Sequence, residues 1–102
     1  MSVEQQYQKI AQNFTPALPA EWRKAWISGE VSSDHTDLEF GYEDDRGGES
    51  WIVPETTNRL EIRDALKSLR DIMAAPGQQP WSRCAFRLFP DGNFKFDVEY
   101  DD

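Results

Sequence analysis

The fold is most clearly indicated by residues 83–100, RCAFRLFPDGNFKFDVEY. Apolar and polar residues alternate on both sides of a Pro-Asp-Gly segment, and a period of two is typical of β-strands with one buried face. The pattern predicts strands over about residues 82–89 and 93–100, joined as an antiparallel hairpin.

The length of the connecting loop follows from which side chains must share a face. A two-residue loop at Asp91 and Gly92 would place Leu88 opposite Lys95, so apolar side chains would meet charged ones along the hairpin. A three-residue loop, Pro90 to Gly92, with a left-handed glycine avoids this conflict. It predicts the pairs Leu88–Phe94, Phe86–Phe96 and Cys84–Val98 on one face, with Arg83 opposite Glu99 and Arg87 diagonal to Asp97 on the other.

Helical and strand periodicities alternate along the rest of the chain. Residues at helical spacing predict a first helix that ends before Pro16, namely Val3, Tyr7, Ile10, Ala11 and Phe14. Strands are predicted over residues 22–32, 38–43 and 50–54. A second helix is predicted over residues 57–75, with a capping box at Asn58 and Glu61 and Gly77 near its C-cap. Its expected apolar stripe is Ile62, Ala65, Leu66, Leu69, Ile72 and Met73.

Together these elements predict a single α+β domain over residues 1–102 in the order α-βββ-α-ββ. We expect one antiparallel sheet of about five strands with both helices packed on a single face. The opposite face of the sheet is then open to water or to a partner.

Composition and charge narrow the class of protein. Hydrophobic residues make up 38% and aromatic residues 13% of the 102 residues, which is typical of a folded chain. The net charge of −8 argues against direct nucleic-acid or membrane binding and favours basic partners, although it also serves solubility. The single cysteine and the lack of a leader-like or membrane-spanning apolar run predict a cytoplasmic location.

The residues that could support chemistry do not form a recognisable catalytic or metal site. His35 is the only histidine and lies in a polar turn, while Cys84 lies on the apolar side of its strand. Asp44 and Asp45 lack the ligand spacing of a calcium loop, and the sequence contains no phosphate-binding or zinc motif. We therefore expect no catalytic residue, no metal and no cofactor, although a small enzyme using Cys84 or His35 stays open as an alternative.

A binding surface is the better hypothesis. The residues predicted to point away from the helices are mostly acidic: Glu30, Asp37, Glu39, Glu43, Asp97, Glu99 and Asp101. Trp26 shares their side of the sheet, unless it turns inward at the sheet edge or covers a connector. An exposed tryptophan among carboxylates suits a protein interface.

Four stretches resemble the YezG-like immunity proteins, which are antitoxins of bacterial polymorphic and contact-dependent toxin systems. They are YQKIAQ (7–12), LPAEWRKAW (18–26), EFGYEDD (39–45) and the C-terminal segment from QPW (79–81) to residue 102. The similarity extends over nearly the whole chain in the same order. The alternating hairpin with its Asp-Gly turn carries the strongest part.

The resemblance implies an α+β protein without catalysis that binds one cognate toxin domain, frequently a nuclease, with an RNase favoured over a DNase. Such a toxin is expected to be basic, so carboxylates could take the place of its substrate's phosphates. The predicted toxin-binding residues are Trp26, Glu39, Tyr42, Glu43, Asp44, Asp45, Trp51, Asp97 and Glu99. A generic acidic adaptor or a homo-oligomer joined through the open sheet face stays an alternative.

Overall fold

A computed structural model of the chain describes residues 3–32, 35–74 and 80–100. Within them the chain forms two α-helices and one five-stranded antiparallel sheet of strand order β3-β2-β1-β4-β5, which confirms the predicted α+β fold and element order. The helices are α1 (Val3–Phe14) and α2 (Thr56–Met73), with a short 3-10 helix at Thr15–Ala17. The strands are β1 (Trp22–Val31), β2 (Thr36–Asp44), β3 (Glu49–Trp51), β4 (Arg83–Leu88) and β5 (Phe94–Glu99).

The β4–β5 hairpin has the register that the sequence predicts. Leu88 pairs with Phe94, Phe86 with Phe96 and Cys84 with Val98. The Phe89 N–H donates to the Asn93 carbonyl oxygen at 2.9 Å and so closes a three-residue loop. Gly92 adopts a φ of +90°, the left-handed conformation that this loop requires of its last residue.

The hydrophobic core lies between the sheet and the two helices. The Phe14 ring of α1 meets the Phe40 ring of β2 edge-on, with centroids 5.8 Å apart. Trp81 is fully buried just before β4 and contacts the Phe96 ring at 5.7 Å. The buried apolar residues are Ile10, Phe14, Ala25, Ile27, Val31, Phe40, Ile62, Ala65, Leu66, Leu69, Trp81, Cys84, Phe86 and Leu88.

The third strand is shorter than predicted. The sequence pattern indicates a strand over residues 50–54, but β3 ends at Trp51. The Ile52 N–H still donates to the Phe40 carbonyl at 3.1 Å, after which the chain turns away from the sheet. Pro54 is buried and has no N–H to extend the ladder, while Val53 is exposed.

The second helix differs from the prediction at both ends. It begins at Thr56 with Glu55 at the N-cap, so Asn58 already lies inside the first turn and the predicted capping box is wrong. Ile72, predicted in the buried stripe, is 41% exposed, whereas Ile62, Ala65, Leu66 and Leu69 of the stripe are buried. Gly77 lies outside the described residues. Along those described, no helix is both long and apolar enough to cross a membrane.

Candidate functional site

The face of the sheet opposite the helices, here called the open face, carries the side chains that alternate with the core residues. At one end of the sheet, one row of these side chains crosses β2, β1, β4 and β5. A second row lies beside it, two residues further along each strand. The first row contains Asp37, Glu30, Arg83 and Glu99, and the second contains Glu39, Ser28, Ala85 and Asp97. Carboxylates from three different strands are therefore neighbours, although they are far apart in sequence.

These two rows form a depression with a volume of about 430 Å³. Ser28 and Ala85 have small side chains and form the floor of the depression, and the longer side chains around them form its sides. Five carboxylates and one guanidinium line it, which gives the lining a formal net charge of −4. We call this site the acidic depression; its lining residues are Ser28, Gly29, Glu30, Asp37, Glu39, Arg83, Cys84, Ala85, Asp97 and Glu99.

Gly29 holds β1 and β2 unusually close beside the acidic depression. Its φ is +148°, and a Cβ built on it would lie 2.0 Å from the backbone carbonyl oxygen of Asp37. Only glycine permits this approach, since any side chain would collide with backbone atoms that cannot rotate away. The close contact holds the backbone of Asp37, near the start of β2, against β1 and so helps to position its carboxylate.

One of the five carboxylates is paired within the depression. The Arg83 guanidinium donates to Glu30 Oε1 at 2.7 Å, and His35 Nε2 lies 3.8 Å from Glu30 Oε2. The predicted register of Arg83 opposite Glu99 is confirmed, but its side chain turns to β1 instead of balancing β5.

The other four carboxylates of the depression have no cation within ion-pair distance in the part of the chain that the structure describes. They belong to Asp37, Glu39, Asp97 and Glu99, and all four residues are exposed. Asp101, which the sequence places in the same acidic set, lies outside the described residues. Within the described part of the chain, these four carboxylates of the depression are therefore not neutralised by a neighbouring cation.

Two tryptophans lie in the row beside the acidic depression. Trp26 lies on the open face, opposite Gly41 on one side and Arg87 on the other, so it does not turn inward. A Cβ on Gly41 would lie 2.6 Å from the Trp26 indole, which shows that the ring lies flat over this glycine. Trp51 also pairs with Gly41 and is 69% exposed. The open face thus combines large aromatic side chains with neighbouring acidic ones.

The structure separates some of the predicted binding residues from this surface. Tyr42 pairs with Ala25 and packs against the core on the helix side. Asp44 begins the β2–β3 turn, where its Oδ1 accepts backbone N–H groups of Arg46 and Gly48, both at 2.9 Å. Asp45 is exposed in the same turn.

Glu43 lies on the open face but is partly neutralised by Lys24, with Nζ and Oε2 3.7 Å apart. The predicted residues that the structure brings together are therefore Glu39, Asp97 and Glu99, with Trp26 and Trp51 in the adjoining row. The sequence-based site lacked Ser28, Glu30, Asp37, Arg83 and Ala85. The alternation along β1 and β2 already predicts that Glu30 and Asp37 lie on the open face. Their neighbours on the other strands follow only from the strand order of the sheet.

Catalytic chemistry finds little support in the geometry. Cys84 is 5% exposed, and burial raises the pKa of its thiol from the usual value of 9.0 to about 12. A thiol with this pKa stays protonated at neutral pH and is a poor nucleophile. His35 is exposed, and its Nδ1 lies 2.8 Å from the Ser32 hydroxyl. Across residues 3–32, 35–74 and 80–100, no three His, Cys, Asp or Glu side chains are grouped to hold a metal ion.

The protein is thus a small α+β protein whose sheet has an exposed acidic and aromatic open face. A sequence model of one protein family, described as "Immunity protein YezG-like", matches residues 3–102. The match covers nearly the whole chain, so this protein belongs to the YezG-like immunity protein family.

Characterised relatives agree with this assignment at low sequence identity. "Immunity protein YezG" of Bacillus spizizenii is 23% identical over 108 residues, which cover 94% of this chain and 67% of the relative. "Type VII secretion system protein EsaG" of Staphylococcus aureus is 24% identical and covered to 66% of its length. "Immunity protein YezG" of Bacillus subtilis is 25% identical and covered to 72%. The chain therefore spans about two thirds of the length of these relatives.

Proposed function

We propose that this protein is a cytoplasmic antitoxin that neutralises a cognate toxin domain by binding it with the open face of its sheet. Membership of an immunity protein family supports the general role. The observation that carries the docking surface is the acidic depression, where four carboxylates that have no cationic partner among the described residues surround a floor of small side chains. The protein acts by occupying the toxin and does not itself catalyse a reaction.

The chemistry of the depression indicates what it binds. A Lys or Arg side chain of the toxin, inserted above Ser28 and Ala85, would receive charge-assisted hydrogen bonds from the surrounding carboxylates. Trp26 and Trp51 would supply apolar contact area beside this ionic centre. The negative field of the open face would also accelerate the encounter with a basic partner.

A nuclease toxin, with an RNase favoured over a DNase, fits this proposal. Nucleases bind the phosphates of their substrates with basic side chains, since phosphate contacts dominate affinity for nucleic acids. Carboxylates of the acidic depression would replace those phosphates and cover the substrate-binding surface. Inhibition would then be both steric and electrostatic.

Charge reversal tests the docking surface. Asp37→Lys with Glu39→Lys reverses two carboxylates of the depression, whereas Asp64→Lys with Asp71→Lys makes the same charge change on the exposed side of α2. We expect the first pair to slow association with the toxin by about tenfold at low salt and to reduce its salt dependence, because the steering field is removed. The control pair should change the association rate by less than about twofold, since those charges face away from the docking surface.

The measurement is co-expression with a toxin-like reading frame encoded immediately upstream, followed by association kinetics on the purified pair. Rescue of growth and a co-purifying complex would support the antitoxin role, and their absence would contradict it. Equal effects of the two double variants would place docking elsewhere on the protein. A toxin that degrades neither RNA nor DNA would contradict the nuclease assignment alone.

A further inference from the structure

The two edges of the sheet differ in their capacity to pair with another strand. At one edge, β3 has only three residues, and the chain then leads into Pro54. At the other edge, β5 has six residues and contains no proline, and among the strands that the structure describes it pairs with β4 alone. A long edge strand of this kind presents a row of unpaired backbone groups that can template a further strand.

The backbone groups that point outward from β5 follow from the hairpin register. The Phe89 N–H donates to the Asn93 carbonyl, and hydrogen-bonded pairs recur at every second residue of an antiparallel ladder. Lys95 and Asp97 therefore direct their backbone groups toward β4. Phe94, Phe96 and Val98 direct their N–H and C=O groups away from the sheet, where an incoming strand would meet them.

The side chains of β5 favour one occupant, a second copy of the same strand. We infer that two molecules associate by antiparallel β5–β5 pairing centred on Phe96. In this register Lys95 of each copy lies opposite Asp97 of the other, so two ion pairs form on the open face. On the helix face Phe94 lies opposite Val98 and the two Phe96 rings are neighbours. Phe94, now 42% exposed, would lose much of its contact with water.

The charges of β5 disfavour the neighbouring registers. Each register of the β5–β5 pairing can be named by the residue at its centre. Registers that keep apolar side chains opposite apolar side chains have centres that differ by one residue. Centring on Lys95 places the two lysines opposite each other. Centring on Asp97 places the two aspartates opposite each other, between two Lys95–Glu99 pairs. Like charges directly opposite are destabilising. Of these three registers, only the Phe96-centred one places no like charges directly opposite each other; in it Glu99 of each copy faces the neutral Asn93 of the other.

This pairing would join the two sheets into one continuous sheet of ten strands. Its two-fold axis is perpendicular to the sheet, because the paired strands are antiparallel and keep the same side chains on the same face. Both pairs of helices would then lie on one side and both acidic depressions on the other. A dimer of this form would present two docking surfaces in the same direction.

Sedimentation equilibrium of the purified protein, without toxin, tests the inference. The natural protein should show masses that rise with concentration from 11.8 kDa toward twice that value. Lys95→Asp and Asp97→Lys should each weaken the dimer by about tenfold, because each converts two attractive pairs into two repulsive ones. The double variant Lys95→Asp with Asp97→Lys restores both pairs with the charges exchanged, and it should associate within about threefold of the natural protein.

A matched control separates pairing from a general effect of charge. Arg87→Asp makes the same charge change as Lys95→Asp, but on β4, which lies one strand in from the edge of the sheet. It should leave the dimer intact. Far-UV circular dichroism of each variant establishes that the sheet is formed. A natural protein that stays at 11.8 kDa up to millimolar concentration would overturn the inference. So would a dimer that neither single reversal weakens, or one that the double variant fails to restore.

Discussion

Replacement of Gly29 by alanine is the sharpest test of how the sheet is built around the acidic depression. The residue combines a φ of +148° with a backbone neighbour at 2.0 Å from the position of an added Cβ. Two separate costs therefore arise. One is the strain of placing an L-residue in a region that it rarely adopts, and the other is the collision with the Asp37 carbonyl oxygen.

The size of the effect follows from these two costs. Backbone strain of this kind costs about 1–3 kcal/mol. Relief of the collision requires β1 and β2 to separate by roughly 1 Å at this point, which weakens the adjoining ladder and costs about 1–3 kcal/mol more. We expect a total loss of about 3–5 kcal/mol in the free energy of unfolding, which lowers the melting temperature by roughly 15 °C or more in a domain of this size.

Thermal unfolding followed by far-UV circular dichroism measures this loss, and Gly92→Ala is the matched control. Gly92 also has a positive φ, at +90°, but an added Cβ would have nothing within 4 Å. It should therefore incur the strain alone, about 1 kcal/mol, and lose roughly 5 °C. Equal losses in the two variants would show that the collision with the Asp37 carbonyl oxygen contributes nothing to the loss in Gly29→Ala.

Two further predictions concern the aromatic row and the buried thiol. Gly41→Ala should tilt the Trp26 indole off the sheet, because the new Cβ would lie 2.6 Å from the ring. The near-UV circular dichroism spectrum should then change, while the far-UV spectrum is retained. An unchanged near-UV spectrum would contradict the flat placement of the ring. Cys84 should make the free energy of unfolding fall at alkaline pH. Burial raises the pKa of its thiol from 9.0 to about 12, so between these two pH values the unfolded chain releases the thiol proton while the folded protein retains it. The loss should reach about 1.4 kcal/mol at pH 10, and urea unfolding at pH 8 and pH 10 should show it in the natural protein and not in Cys84→Ala.

The parts of the fold that the sequence predicts are those governed by local repetition. The alternation on both sides of Gly92 predicts the register of the last hairpin, because a two-residue loop at Asp91 and Gly92 would place apolar side chains opposite charged ones. Helix ends were predicted less well. Asn58 and Glu61 have the residue types of a capping box, but the helix begins two residues before Asn58, at Thr56, with Glu55 at the N-cap and no side-chain capping hydrogen bond.

The candidate site was predicted only in part, because it depends on strand order. Alternation along β1 and β2 places Trp26 and Glu39 on the open face without knowledge of their neighbours. The acidic depression forms only because β1 and β4 are adjacent and bring Ser28 beside Ala85. A local pattern carries no information about this pairing. Tyr42 was included by its position in an acidic segment, although its alternation belongs to the core side.

The one-sided arrangement of the helices has an evolutionary consequence. Residues of the helix side hold the core together, whereas Glu39 and Trp51 on the open face are exposed and contribute little to it. Substitutions at such positions usually change the free energy of unfolding by no more than about 0.5 kcal/mol. The open face can therefore diversify almost independently of the scaffold. In the proposed docking role, a lineage could follow a changing toxin by altering this surface while it keeps the same folded protein.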